Sequence, residues 1–314
     1  MNARGSAALA LLAVFAAACG EKKPPVAPPA APPARTEAAL RAFQEAEKAI
    51  RTGKTSQAAQ FYREAVDADP AFFLAWARWH ELSRATGNGD AARTEFQRRL
   101  SAAPEDPLWL TLNAIADPAG REERIRKAIA LAPGFAWAHY ALAETLVEAK
   151  RADEALRAAE RALQIDPGNG LFHLQRASAL LWADRPRDAR EETRRAKELL
   201  PEDERPFVIE AQALLDENNL DGAIGQLEEA VRLAPAAASP RAVLCDLRVK
   251  RGTAHLAEFQ RHFSERHFGA AQRAAEEGAG LLEAAVRENP EHPGAKKYLP
   301  MAEGAAAAAA LGRA

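Results

Sequence analysis

The sequence predicts an all-α protein, a solenoid of about seven helix-turn-helix repeats finished by a helical C-terminal cap. Three observations carry that reading. Prolines that close similar segments recur along the chain: "AVDADP" ends at Pro70, "RLSAAP" at Pro104, "AIALAP" at Pro133, "ALQIDP" at Pro167, "AKELLP" at Pro201, "AVRLAP" at Pro235 and "AVRENP" at Pro290. Their intervals are 34, 29, 34, 34, 34 and 55 residues. A fixed period of this size marks stacked supersecondary units, none of which can bury its apolar face alone. Small residues also recur at fixed places inside the period. Finally, the 314 residues are 48% hydrophobic but only 6% aromatic, the apolar share being mostly Ala and Leu, which favours helix over sheet.

Numbering each unit so that its proline is position 32 brings the small residues into register. Position 20 reads Ala58, Ala92, Ala155, Ala189 and Ala223, and position 8 reads Ala46, His80, Ala143, Ala177 and Ala211. Small side chains at both places let two antiparallel helices approach closely, while bulkier neighbours fill the space between successive pairs. Gly53 and Gly87 fall at position 15, where the first helix of a pair stops and the second begins. The proline then ends the second helix and starts the linker.

These residues resemble the tetratricopeptide repeat (TPR), a helix-turn-helix unit of the same length. The segment "AWAHYALAETLVEAKRADEALRAAERALQIDP", ending at Pro167, fits best, and Trp76 and Trp79 keep large residues at positions 4 and 7 of the second repeat. The resemblance covers residues 37–269, with ends near 70, 104, 133, 167, 201, 235 and 269, and continues more loosely to about 300. Three departures are expected to show. The repeat ending at Pro133 is five residues short, with Asp117 as N-cap, Pro118 as first helical residue and a truncated first helix. In the seventh repeat Gly269 replaces the proline, Gly252 stands at the turn and Cys245 takes the small position 8 as a buried residue. Residues 270–314 then form an extra helix and a ragged cap.

Residues 1–18 read as a signal peptide: Arg4, then "AALALLAVFAAA", then Cys19. The small residues before Cys19 resemble a bacterial lipobox, in which the cysteine becomes the lipidated first residue, although Ala16 stands where that motif usually has leucine. The same "AAA" also suits ordinary signal peptidase, which would leave a soluble exported protein. Residues 19–36 would then be the acylated cysteine (palmitate-type chains) and a Pro-rich tether extending at ~3.1 Å per residue. The implied location is the bacterial cell envelope, lipid-anchored and periplasm-facing. Gly20 stands where an aspartate can signal inner-membrane retention, which leans toward the outer membrane.

Net charge is −2, and 42 Lys and Arg are interleaved with 44 Asp and Glu, so no basic stripe suits nucleic acid. No phosphate loop, nucleophile elbow or paired-cysteine pattern is present, and no enzyme activity or cofactor is expected. His255, His262 and His267 are seven and five residues apart, which does not line one helix face, so no metal site is expected. His139 and His173 share position 4 and read as packing residues.

The resemblance implies binding instead. In this family the first helices line a concave groove through positions 2, 5, 6, 9, 12 and 13. Carried over, these are Trp137, Tyr140, Glu144 and Val147; Leu171, Leu174, Ser178, Leu181 and Trp182; Val208, Gln212 and Leu215; with Phe43, Glu47, Leu74 and Glu81 from the first two repeats. A lysine at position 5 and an asparagine at position 9, the clamp for a C-terminal carboxylate, are missing: those places hold Phe43 and Glu47, Ala77 and Glu81, Tyr140 and Glu144. The expected partner is therefore a protein or peptide segment with hydrophobic anchors, of unknown identity, and the expected role a membrane-anchored scaffold aiding assembly of an envelope complex. Two alternatives stay open: a soluble exported adaptor, and a structural solenoid whose groove is filled by its own C-terminal helix. Val147, Leu181 and Leu215 could equally pack against a neighbouring helix.

Overall fold

Every turn between the helices of a pair demands one residue that most side chains resist. In the computed structural model, which describes residues 36–313, Gly53, Gly87, Lys150, Asp184, Asn218 and Arg266 all have positive φ, between 55 and 79°. The first two are the glycines expected at position 15, and the next three occupy that position without being glycine. A left-handed residue reverses the chain in three residues and lets its neighbours satisfy the last carbonyls of the finished helix, as Lys150 and Arg151 do by donating to Val147 and Leu146. The signal peptide, Cys19 and the tether up to residue 35 lie outside the described residues.

The described residues form fifteen helices and no strand. The pairs are α1 (Glu37–Arg51) with α2 (Thr55–Ala68), α3 (Phe73–Ala85) with α4 (Gly89–Ala102), and α5 (Pro107–Ala116) with α6 (Arg121–Leu131). They continue as α7 (Ala136–Glu148) with α8 (Ala152–Ile165), α9 (Gly170–Trp182) with α10 (Pro186–Leu199), and α11 (Arg205–Asp216) with α12 (Leu220–Leu233). Two long helices, α13 (Ala238–Ser264) and α14 (Phe268–Glu288), precede α15 (Pro293–Arg313). Each helix packs on the next, and the first helices of successive pairs also touch, as α3, α5, α7, α9 and α11 do in turn. No described helix is long and apolar enough to cross a membrane.

The small positions are where the backbones meet. Ala46, Ala143, Ala177, Ala58, Ala92, Ala155, Ala189 and Ala223 are fully buried, and Ala211 nearly so. His80 is buried at the same register against the Phe96 ring, and burial lowers its pKa. Position 4 has its own rule. The Trp76 indole donates to Pro70 O at 3.0 Å, and His139 Nε2 and His173 Nε2 lie 3.0 and 3.2 Å from Pro133 O and Pro167 O. A carbonyl only accepts, so both histidines carry their proton on Nε2. A ring N–H thus ties each first helix back to the proline that starts its linker. His173 Nδ1 also meets the Glu192 carboxylate at 2.8 Å, which favours the protonated ring and raises its pKa.

Three expectations need correction. Asp117 is the C-cap of α5 and accepts from Ala119 N–H, Pro118 is not helical, and α6 begins after left-handed Gly120. The short repeat loses residues from both helices, with 10 in α5 and 11 in α6. Second, no turn forms at Gly252 and no repeat ends at Gly269: the 55-residue interval is one hairpin of 27- and 21-residue helices. Gly252 serves close approach, because a Cβ there would lie 2.8 Å from Leu282 Cγ and 3.1 Å from Gly278 O. Third, the spacing of His262 and His267 is not that of one continuous helix. Left-handed Arg266 lies between them, and His267 N–H donates to His262 O at 2.8 Å. Cys245 is buried as expected, its thiol facing Ala285 O.

Two features frame the concave side. The turn after α1 meets the linker before α13: Ala236 N–H donates to Arg51 O, and the Arg51 guanidinium reaches Glu202 at 2.9 Å. The array therefore curls far enough for its first repeat to touch its sixth and seventh. The last helix, α15, packs on α14 and α13 through Ala295, Ala302 and Ala309.

Candidate functional site: a concave cavity on the first helices

A half-open cavity of about 360 Å³ lies where α7, α9, α11 and the start of α13 converge. Its apolar wall is Tyr140, Leu171, Leu174, Val208, Ile209 and Pro240, and its polar rim is Gln175, Ser178, Glu204, Arg205 and Ser239. Helical spacing explains the convergence: Leu171, Leu174, Gln175 and Ser178 are three, four and seven residues apart and share one face of α9. No α15 residue lines the cavity, so the C-terminal helix does not fill it.

Five of the expected groove residues come together here: Tyr140, Leu171, Leu174, Ser178 and Val208. Leu171 and Leu174 are buried at the cavity floor and also belong to the core around Phe172 and Ala196. Trp137 is not a free groove residue. It stacks on Phe73 at 4.8 Å and meets Phe172 edge-on at 4.9 Å, locking the second repeat to the fourth and fifth. Val147, Leu181 and Leu215 are half-buried against the cores beside them. They stand at position 12, about 10 Å further along their helices than the position-5 residues at ~1.5 Å per residue. Trp182 lies beyond them, 52% exposed, with the Lys150 ammonium 5.8 Å from its ring centre.

Beside the apolar wall sits a cluster of charges. Arg78 is largely buried, donates to Glu81 at 2.6 Å and lies 3.6 Å from Glu47, which accepts from the Tyr62 hydroxyl at 2.6 Å. Arg205 forks onto Asp203. Tyr140, sharing this environment with Glu144, Arg78, Glu81 and Asp203, has its hydroxyl pKa raised chiefly by burial. Glu144, one helical turn beyond Tyr140, is pushed up to about 7 by burial and by Glu81 and Glu148, against the pull of Arg121 and Arg78. The acids Glu47, Glu81, Glu144, Glu148, Asp203 and Glu204 outnumber Arg51, Arg78, Arg121 and Arg205.

Sequence reasoning missed Arg78, Gln175 and Ile209, although all three stand at groove position 6. Arg205 and Ser239, both at groove position 2, were also passed over, whereas Asp203, Glu204 and Pro240 were beyond its reach, since they stand outside the groove positions in linkers and first turns.

A stack of antiparallel helix pairs with a cavity on the first-helix face defines the class: an α-solenoid of helix-turn-helix repeats. A family model of the tetratricopeptide repeat matches residues 146–207. Among solved structures, a thermophilic TPR protein from Thermus thermophilus is similar at 22% identity, over 56% of this chain and 98% of that one, with a TM-score of 0.50. The Cut9–Hcn1 hetero-tetramer of the APC/C is similar at 13% identity, over 83% of this chain and 55% of that one, with a TM-score of 0.57. No curated protein matches the sequence. The family match is confined to that one segment, and the likeness to the two solved structures is one of fold.

Proposed function

We propose that the protein is an interaction scaffold that takes a partner's peptide segment into the concave cavity, an apolar anchor entering between Tyr140, Leu174 and Val208. The observation that carries this reading is the cavity itself. It has a volume suited to a few side chains, apolar walls and a small set of polar groups, and it is formed by the helices whose counterparts line the family's groove. Burying one large apolar anchor contributes ~1.5–3 kcal/mol. The excess of acids alongside favours a basic residue flanking that anchor.

The test is selection of peptides from a random display library on the full chain, followed by affinity measurement on a Ser178→Phe variant whose added ring fills the cavity. The expected result is a set of peptides sharing an apolar residue next to Lys or Arg, all losing affinity in the variant while its helicity is unchanged. Peptides bound equally by both proteins would remove the cavity from the function. The signal segment and Cys19 support placing this scaffold on a bacterial envelope membrane, where it would aid assembly of an envelope complex. Mass spectrometry of the mature N-terminus reads that directly: an acylated Cys19 supports the anchor, and an unmodified N-terminus leaves a soluble adaptor.

A further inference from the structure

The turn between α13 and α14 brings together three side chains that the concave site does not use. His262 is in the last turn of α13, Glu265 caps that helix and His267 opens α14. One candidate ligand atom from each lies within 4.8 Å of the other two. The fold imposes this meeting: left-handed Arg266 reverses the chain, and His267 N–H bonds back to His262 O. Phe263, packed between Phe259 at 5.3 Å and Phe268 at 5.4 Å, pins both ends of the turn. His262 Nδ1 is shut off from solvent and has no hydrogen-bond partner. His267 Nδ1 lies 3.3 Å from the Glu265 carboxylate, and both of those side chains are about half exposed.

We propose that His262, Glu265 and His267 bind a divalent cation of the zinc class. Two imidazoles and one carboxylate are borderline ligands that suit zinc, nickel or copper, whereas calcium and magnesium seek oxygen alone. Zinc bonds of about 2.0–2.1 Å require ligand atoms roughly 3.3–3.4 Å apart, near the present His267–Glu265 separation. The exposed side chains of Glu265 and His267 can rotate to close the rest, while half-buried His262 stays fixed. Coordination at its Nδ1 would satisfy a ring nitrogen that is buried without a partner. Three protein ligands leave a fourth position open, to water or to a side chain of another protein. The site is separate from the cavity, lies within one hairpin and clips the two longest neighbouring helices together at their turn.

Zinc chloride titrated into the metal-free full chain by calorimetry provides the test, alongside His267→Ala and a His292→Ala control. His292 lies at the other end of the hairpin, paired with Asp246. The expected result is one saturable zinc per chain in the wild type and the control, with affinity falling at least about tenfold in His267→Ala. X-ray absorption of the wild-type complex should then show nitrogen and oxygen ligands and no sulfur. Absence of saturable binding, equal affinity in His267→Ala, or a sulfur ligand would each overturn the proposal.

Discussion

Glu144 offers a quantitative test of the concave charge cluster. It is half-buried on α7, faces Glu81 and Glu148, and is raised from 4.5 to about 7. At ~1.4 kcal/mol per pH unit this rise corresponds to roughly 3.5 kcal/mol, and water at its exposed edge reduces this to about 2 kcal/mol. The folded carboxyl holds its proton more tightly than the unfolded one. Its contribution is therefore fully favourable below about pH 4.5 and is lost as pH rises from there through about 7. Above that range an ionised Glu144 destabilises the fold, the reverse of the usual behaviour of a paired acid.

The perturbation is Glu144→Gln, which keeps the shape of the protonated acid and cannot ionise. Urea denaturation followed by far-UV circular dichroism should find the variant close to wild type at pH 5 and more stable by about 2 kcal/mol at pH 8. His80 and His139, lowered by burial, and His173, raised by Glu192, titrate nearby but equally in both proteins. The change in the difference between pH 5 and pH 8 thus belongs to residue 144. An equal difference at both pH values, or a variant less stable at pH 8, would refute the electrostatic reasoning.

Other expectations concern packing. Phe172 is fully buried with Trp137 at 4.9 Å and Tyr140 at 5.7 Å, so Phe172→Ala should cost about 3–5 kcal/mol in the same denaturation assay. His139→Phe keeps the ring but leaves Pro133 O without its donor, a loss of about 1 kcal/mol by urea midpoint. Gly252→Ala places a methyl against Leu282 and the Gly278 carbonyl, and thermal melting should show a destabilisation of about 1–3 kcal/mol.

The periodic features were legible because they repeat: Ala58 through Ala223 at position 20 and the linker prolines fix pairing and register without any knowledge of curvature. Where one signal admitted two physical causes, the sequence misled. Gly252 looked like the turn glycine Gly87, yet a glycine is also what two crossing helices require, and only the packing of Leu282 distinguishes the two. Lys150, Asp184 and Asn218 hid real turns by adopting positive φ without being glycine. The cavity was half legible. Tyr140, Leu174 and Val208 follow from position 5, but half-buried Trp137 is taken up by stacking on Phe73 across the short third repeat.

The character of the site follows from what meets around that short repeat. Phe73 of α3 stacks on Trp137 of α7 across that repeat, Arg78 acts on Tyr140, and Arg51 in the first repeat reaches Glu202 and Ala236. There Glu144 meets the like charges of Glu81 and Glu148 and, among the described residues, has no hydrogen-bonded cation of its own. A partner bringing Lys or Arg to that place gains more than a surface ion pair, because it also relieves a cost the free protein already carries. Such a partner would lower the Glu144 pKa and release a proton on binding near neutral pH. Calorimetry in two buffers of different ionisation heat should therefore give different apparent enthalpies for a basic peptide, and the same enthalpy for Glu144→Gln.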